Sequence, residues 1–187
     1  MYNNFPILNI DDDYSLRNIS LDDAEEFFKY FSHPKVCCHI LSKTPKNKLE
    51  AQNELNYWLN LFIQKTGIYW AIINKENNKI IGTIGLHEWN KYNNRGEISY
   101  DLNHQYWGKN IMSKALYQCL KYLFIELRIN RIQAITIKEN LNSIKLLQKN
   151  NFTFEGVLQK YRFHNEKYYD INIYAILRRN FETIYNL

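Results

Sequence analysis

An α+β fold is predicted, a central twisted mixed sheet of about seven strands flanked by about four helices. Three observations predict it. Short runs alternate apolar and polar residues as half-buried strands do, Arg95-Gly96-Glu97-Ile98-Ser99-Tyr100-Asp101-Leu102 being one. Longer runs repeat apolar residues at helical spacing, as Ile111, Ala115, Leu116, Cys119, Leu120, Leu123, Phe124 and Leu127 do. Hairpin-like strand pairs mix with two strand–helix–strand passages, so antiparallel and parallel neighbours share one sheet.

The elements follow in order. Residues 14–19 read as a short strand. Ser20 caps a helix over 21–31, and Asp23 three residues on completes a capping box with Asp in place of Glu. His33-Pro34 ends that helix. Pro45 precedes a second helix over 46–64, with Leu49, Leu55, Trp58, Leu59 and Phe62 as its apolar stripe and Gly67 closing it. Strands over 68–74 and 79–87 flank Asn77-Asn78, which suits a tight hairpin turn. After the polar loop 90–94 comes the strand 95–102, then a turn at Gly108 into the long apolar-faced helix. A strand over 131–138, a helix over 140–149 and two strands over 152–161 and 167–177, turning near Asn165, complete the order.

At 187 residues with 45% hydrophobic and 16% aromatic content, the chain is long enough to bury a sizeable core and is expected to form one domain over 1–187. The net charge of +5 is spread along the chain, which favours a solvated, mildly basic surface over nucleic-acid binding. Three cysteines, Cys37 and Cys38 adjacent and Cys119 on an apolar helix face, make neither a disulfide framework nor a metal spacing. His33, His39, His87, His104 and His164 form no ligand spacing and are expected at the surface or at helix ends, so no metal is expected. The start of the chain lacks the basic-then-apolar order of a signal peptide, and no apolar run reaches about 18 residues. A cytoplasmic protein with no membrane partner is the expectation.

The most informative run is Gln105-Tyr106-Trp107-Gly108-Lys109-Asn110-Ile111-Met112-Ser113. It joins the end of a strand pattern to the start of a helix pattern. Helix starts carry unpaired N–H groups and a partial positive charge, which suit a phosphate. The run is neither a P-loop nor a dinucleotide fingerprint, because Gly108 is its sole glycine. By itself it is weak evidence.

The run gains weight from its neighbours, and with them the chain resembles the GNAT superfamily of acyl-CoA N-acyltransferases, in particular the RimJ/RimL-type acetyltransferases. Five pieces carry the resemblance in order: Gly82-Thr83-Ile84-Gly85-Leu86, Glu97-Ile98-Ser99-Tyr100-Asp101-Leu102, Tyr106 through Leu116, Asn140-Leu141-Asn142-Ser143, and Leu147-x-Lys149-Asn150-Asn151-Phe152-x-x-Glu155-Gly156. Asp170 matches an acidic position near the last strand. The chain departs from the family at three places. Asn110 stands for the central loop glycine and Asn151 for a helix-end glycine; Asn accepts positive φ at least cost among non-glycine residues. Lys114 stands for an acidic residue, and either strengthens anion attraction or faces solvent.

The resemblance implies direct acetyl transfer from acetyl-CoA to an amine in a ternary complex, with no covalent enzyme intermediate. It implies a pyrophosphate held by the backbone N–H groups of Gly108, Lys109, Asn110, Ile111, Met112 and Ser113, Lys109 adding a charge, with the pantetheine arm running between two strands that splay apart, 95–102 and 132–138. Asn140 contacts CoA or caps its helix, and Ser143 protonates the leaving thiolate or serves the cap alone. Glu97 is the choice for general base, directly or through water, with Glu88 its competitor. Tyr100 packs or lines the channel rather than ionising, and Trp107 shields the cofactor. The acceptor is a protein N-terminus or a small amine, with Trp58, Trp89, Tyr92, Tyr161 and Phe163 as candidate pocket aromatics. The alternative is a non-catalytic CoA-binding or ribosome- and RNA-binding module on the same fold. A monomer or homodimer is expected.

Overall fold

The computed structural model describes residues 4–187. Eight strands form one mixed sheet in the order β1-β2-β3-β4-β5-β6-β8-β7. They are β1 (Leu8–Asn9), β2 (Tyr14–Asn18), β3 (Ile68–Asn74), β4 (Lys79–Asn90), β5 (Arg95–Leu102), β6 (Arg131–Thr136), β7 (Thr153–His164) and β8 (Lys167–Leu177). The helices are α1 (Ala24–Phe31), α2 (Pro34–Cys37), α3 (Lys48–Ile63), α4 (Ile111–Lys121), α5 (Leu141–Lys149) and α6 (Arg178–Tyr185). The α+β class and the mixed sheet match the expectation. The additions are β1, α2 and α6.

Two apolar layers hold the sheet. Phe27 and Phe31 of α1 and Leu55 and Trp58 of α3 pack against Tyr69, Ala71 and Ile73 on one face. Leu116, Cys119 and Leu120 of α4, with Leu147 of α5 and Phe181 of α6, cover Ile84, Leu86, Ile98 and Ile132 on the other. Cys119 is fully buried there, and burial pushes its thiol pKa up.

Local chemistry explains the helix starts. Ser20 and Asp23 form the predicted capping box, and Arg17 clamps Asp23 through two hydrogen bonds of 2.8 and 2.6 Å. Asn47 caps α3, accepting from the Glu50 amide at 2.9 Å, so this helix begins two residues later than predicted. Its buried stripe is Ala51, Leu55, Trp58 and Leu61, whereas Leu49 is 66% exposed, which corrects the predicted stripe. Leu49 sits in the first turn, before the helix reaches the sheet. Pro34 both follows the end of α1 and opens α2, with His33 as the cap.

One seam positions the site. All neighbouring strands are antiparallel except β5 and β6, which run parallel. Their pairing stops after Arg95↔Arg131, Gly96↔Ile132 and Glu97↔Gln133. Yet β5 stays paired to β4 as far as Leu102, and β6 to β8 as far as Thr136. The two strands therefore part company beyond Glu97 and Gln133, at the place where the sequence predicted a splay.

Candidate functional site

A cleft of about 650 Å³ opens beside the far end of β5. Tyr100, Asp101 and Leu102 border its floor, the Asp101 carboxylate being held by Tyr30 and Thr83, and the starts of α4 and α5 form one wall. Residues 35–40, from α2 and the segment after it, form the other. The predicted site residues Trp107, Gly108, Asn110, Ile111, Met112, Ser113, Asn140 and Ser143 all line this cleft. Lys109 and Glu97 do not. The Lys109 ammonium lies over the Tyr106 ring, 5.1 Å from its centroid.

The turn into α4 owes its shape to two successive positive φ angles, +77° at Gly108 and +59° at Asn110 with Lys109 between. The Asn-for-Gly exchange preserves the turn, because Asn tolerates the left-handed region. A Cβ at Gly108 would meet nothing within 4 Å, so the glycine is there for its backbone angle and leaves open space before the helix. Asn110 occupies the cap position of α4 but makes no side-chain cap bond. Its Oδ1 instead accepts from Lys149 Nζ at 2.7 Å. The first-turn amides of α4 thus face the cleft with a lysine drawn in beside them, an arrangement that fits an anion. Asn151, the second Asn-for-Gly exchange, has φ +63° just past α5.

Lys114 takes neither of its two predicted roles alone. It is half exposed and pairs with Asp11 at 2.7 Å, tying α4 to the loop before β2. Asn140 caps α5 by accepting from the Ser143 amide at 3.1 Å, and its side chain also borders the cleft. Ser143 Oγ lies 2.8 Å from the Tyr100 hydroxyl. Burial raises the Tyr100 pKa, so the phenol keeps its proton at neutral pH. Trp107 donates its indole N–H to the Leu102 carbonyl at 2.8 Å, holding the loop against the end of β5. The candidate aromatics Trp58, Trp89, Tyr92, Tyr161 and Phe163 lie outside the cleft lining: Trp58 is in the core, while Tyr92 is 96% exposed.

The other face of β5 carries Glu97, the predicted base, and two polar groups to which sequence reasoning gave no role, Ser99 and Asp101. Glu97, Ser99 and Asp101 follow one another on it, each with its own partners. Gln133 donates to Glu97 at 3.0 Å, and His87 Nε2 stands 3.7 Å from the other Glu97 oxygen. Tyr69 and Ser99 share a hydrogen bond. Asp101 accepts from the Tyr30 hydroxyl at 2.7 Å and from the Thr83 hydroxyl and amide. Burial pushes the Asp101 pKa up to about 6, against the pull of those donors. Alternation placed Asp101 on this face; no local motif marked it as buried.

His87 corrects the expectation of surface or helix-end roles, while His104 opens a short 3-10 turn over His104–Tyr106. His87 is largely covered, and burial holds its imidazole below the usual value while Glu97 and Glu88 pull it up. His104 stacks on His33 with ring centroids 3.9 Å apart, and its buried Nδ1 has no hydrogen-bond partner. His33 does serve a helix end, accepting from the Lys35 amide. Among the described residues no group of three or more His, Cys, Asp or Glu is placed to hold a metal ion. No helix among them is long and apolar enough to cross a membrane.

Comparison with known proteins agrees with this geometry. Residues 14–153 match the Acetyltransferase (GNAT) domain family. The chain is 33% identical over 174 residues to the uncharacterized N-acetyltransferase YoaA of Bacillus subtilis, covering 93% of this chain and 98% of that one. It is also 33% identical over 168 residues to the uncharacterized N-acetyltransferase p20 of Bacillus licheniformis, covering 89% and 94%. Among solved structures, RimL, a ribosomal L7/L12 α-N-protein acetyltransferase in complex with coenzyme A, superposes with a TM-score of 0.83 at 19% identity, covering 92% of this chain and 98% of that one.

Proposed function

The chain belongs to the GNAT acetyltransferase domain family, and from that premise we propose that it transfers the acetyl group of acetyl-CoA to a primary amine. The observation that carries the reading is the end of β5–β6 pairing at Glu97 and Gln133, beside a helix start whose cap residue leaves the amides open. When bound, acetyl-CoA supplies the acetyl group as an activated thioester.

The residues divide the work as follows. The amides at 108–113 hold the diphosphate, helped by the α4 dipole and by Lys149. The backbone of β5 past Glu97, released from β6, offers its N–H groups to the arm and to the thioester carbonyl. The Tyr100–Ser143 hydroxyl pair holds the proton that the departing sulfur takes. Glu97 is the base that draws off the proton of the amine, directly or through water. The acceptor is a protein N-terminus, as the name of RimL suggests, or a small amine.

Calorimetry with acetyl-CoA, followed by its consumption against a panel of free-N-terminus peptides, polyamines, amino acids and aminoglycosides, tests the reading. Micromolar binding and turnover with at least one amine are expected. Absence of binding to folded protein overturns the proposal.

A further inference from the structure

We propose that His87, in place of water, stands between Glu97 and the amine and is itself the base: its imidazole takes the proton of the attacking amine, and Glu97 behind it stabilises the imidazolium. This rests on the acetyltransferase reading and names a residue that neither the motifs nor the spacing single out.

The placement comes from the sheet. His87 on β4 and Glu97 on β5 are direct cross-strand partners, and Glu97 is the last β5 residue paired to β6. The pair therefore stands at the point where the seam opens. The pairing of β4 with β5 shifts register between His87 and Asn90, and Glu88 has a φ of +50°. A bulge of this kind re-aims side chains and is over-represented beside active sites.

The surroundings fix the ring. The Tyr69 ring lies flat over Gly85, where any side chain would collide with it. Trp58 stacks on Tyr69 at 4.8 Å, and the His87 ring centroid lies 6.2 Å from that of Tyr69, the two planes 23° apart. Gln133 occupies one Glu97 oxygen, leaving the other facing His87 Nε2 at 3.7 Å. At 3.7 Å the contact is electrostatic rather than a hydrogen bond, and the carboxylate's charge favours the tautomer with its proton on Nε2, which leaves the lone pair on Nδ1. The charged and titratable groups facing His87 are Glu97 from β5, Glu88 from the bulge, Arg162 from β7 and the Tyr69 phenol from β3. Burial and Arg162 keep the imidazole neutral, ready to accept, while the two glutamates favour the charged form once the proton arrives. The His87 side chain is 23% exposed and Glu97 only 9%, so the ring is the more accessible of the two to an incoming amine.

The step balances. The amine nitrogen bonds to the acetyl carbon, its proton passes to His87 Nδ1, and the carbon–sulfur bond breaks. The sulfur takes a proton from the Tyr100–Ser143 pair. Exchange with water then returns the proton on His87 and replaces the one given up.

The test compares wild type with His87→Gln, His87→Ala, Glu97→Gln and the double variant His87→Gln/Glu97→Gln. With the best amine from the panel, His87→Gln is expected to lower kcat on the order of 100-fold with acetyl-CoA affinity unchanged. The acid limb that the His87 imidazole sets in the kcat/KM profile should be lost. The double variant should be scarcely slower than the worse single one, because the two residues act as a unit. An unchanged rate and acid limb in both His87 variants overturns the proposal. NMR of ¹³C-labelled histidines in the acetyl-CoA complex needs no acceptor: Glu97→Gln should lower the His87 midpoint, and an unmoved midpoint overturns the pairing. Failure of the wild type to bind or consume acetyl-CoA sinks the acetyltransferase reading instead.

Discussion

On one face of β5, Tyr100 meets a single partner, the Ser143 hydroxyl, at the edge of a cleft of about 650 Å³. On the other face, Glu97, Ser99 and Asp101 lie under α1 and α3, and each is engaged by side chains from neighbouring strands or helices. The difference separates binding from proton management. The cleft face offers amides, a lysine and neutral hydroxyls, which suit a polyanion. The helix-covered face holds Asp101 where burial makes its charge costly, so small changes there move its pKa rather than ligand affinity.

The strongest way to break that contrast is Gly108→Glu. The new side chain projects into the space before α4, where a Cβ meets no neighbour. A carboxylate about 4 Å from a diphosphate costs about 4 kcal/mol at an intermediate dielectric, or roughly a thousand-fold in affinity. The left-handed angle costs about 1–2 kcal/mol more in stability. Calorimetry with coenzyme A should show binding lost while the protein still melts cooperatively. Retained affinity would place the anion elsewhere.

Asp101→Asn probes the opposite face. The folded-state pKa of Asp101 is raised from 3.8 to about 6, so the folded protein holds this proton more tightly than the unfolded chain. Its stabilising effect is full below about pH 4 and is lost as pH rises through 6, an amplitude of about 3 kcal/mol. Urea melts between pH 4 and 7 should show a falling contribution in wild type that the Asn variant lacks. Identical pH slopes in the two proteins would mean that Asp101 is not penalised by its burial.

These residues also mark how far the sequence can be read. Alternation in 95–102 and the periodicity from Ile111 onward made β5 and α4 legible, because strong patterns report which face is buried. The capping box at Ser20 and the left-handed turn at Asn110 were legible because side-chain chemistry and backbone angle are local. The four residues of α2 and two of β1 are too short to show a period, yet α2 supplies a wall of the cleft. In the α3 stripe Leu55 and Trp58 were legible, but Leu49, in the first turn, is exposed and Ala51 and Leu61 complete the buried face. The His87–Glu97 pairing depends on strand register across a hairpin, and Asp101's partners lie 18 and 71 residues away. No local window holds that information.

Ser143→Ala and Tyr100→Phe sharpen the contrast on the cleft side. Each removes one hydroxyl of a shared hydrogen bond and leaves the other to water. If the pair supplies the thiolate's proton, kcat should fall about ten-fold in each variant, with coenzyme A affinity within about two-fold. A wild-type rate in both would reduce the pair to packing and capping, Ser143 keeping its amide bond to Asn140.

The smallest expected effect separates two identical exchanges. Asn110→Gly and Asn151→Gly each relieve a left-handed asparagine, a gain of a few tenths to about 1 kcal/mol. At Asn151 nothing offsets it, so the melting temperature should rise slightly and coenzyme A affinity should not move. At Asn110 the exchange also deletes the acceptor that holds Lys149 at 2.7 Å. An exposed charge-assisted bond of this kind contributes about 1 kcal/mol at most, so stability should change by less than about 0.5 kcal/mol. Affinity should nonetheless fall about two- to three-fold, because a freed lysine must be ordered again when the anion arrives. The same loss at Asn151, or a gain at Asn110, would show that backbone relief rather than the placement of Lys149 governs the loop.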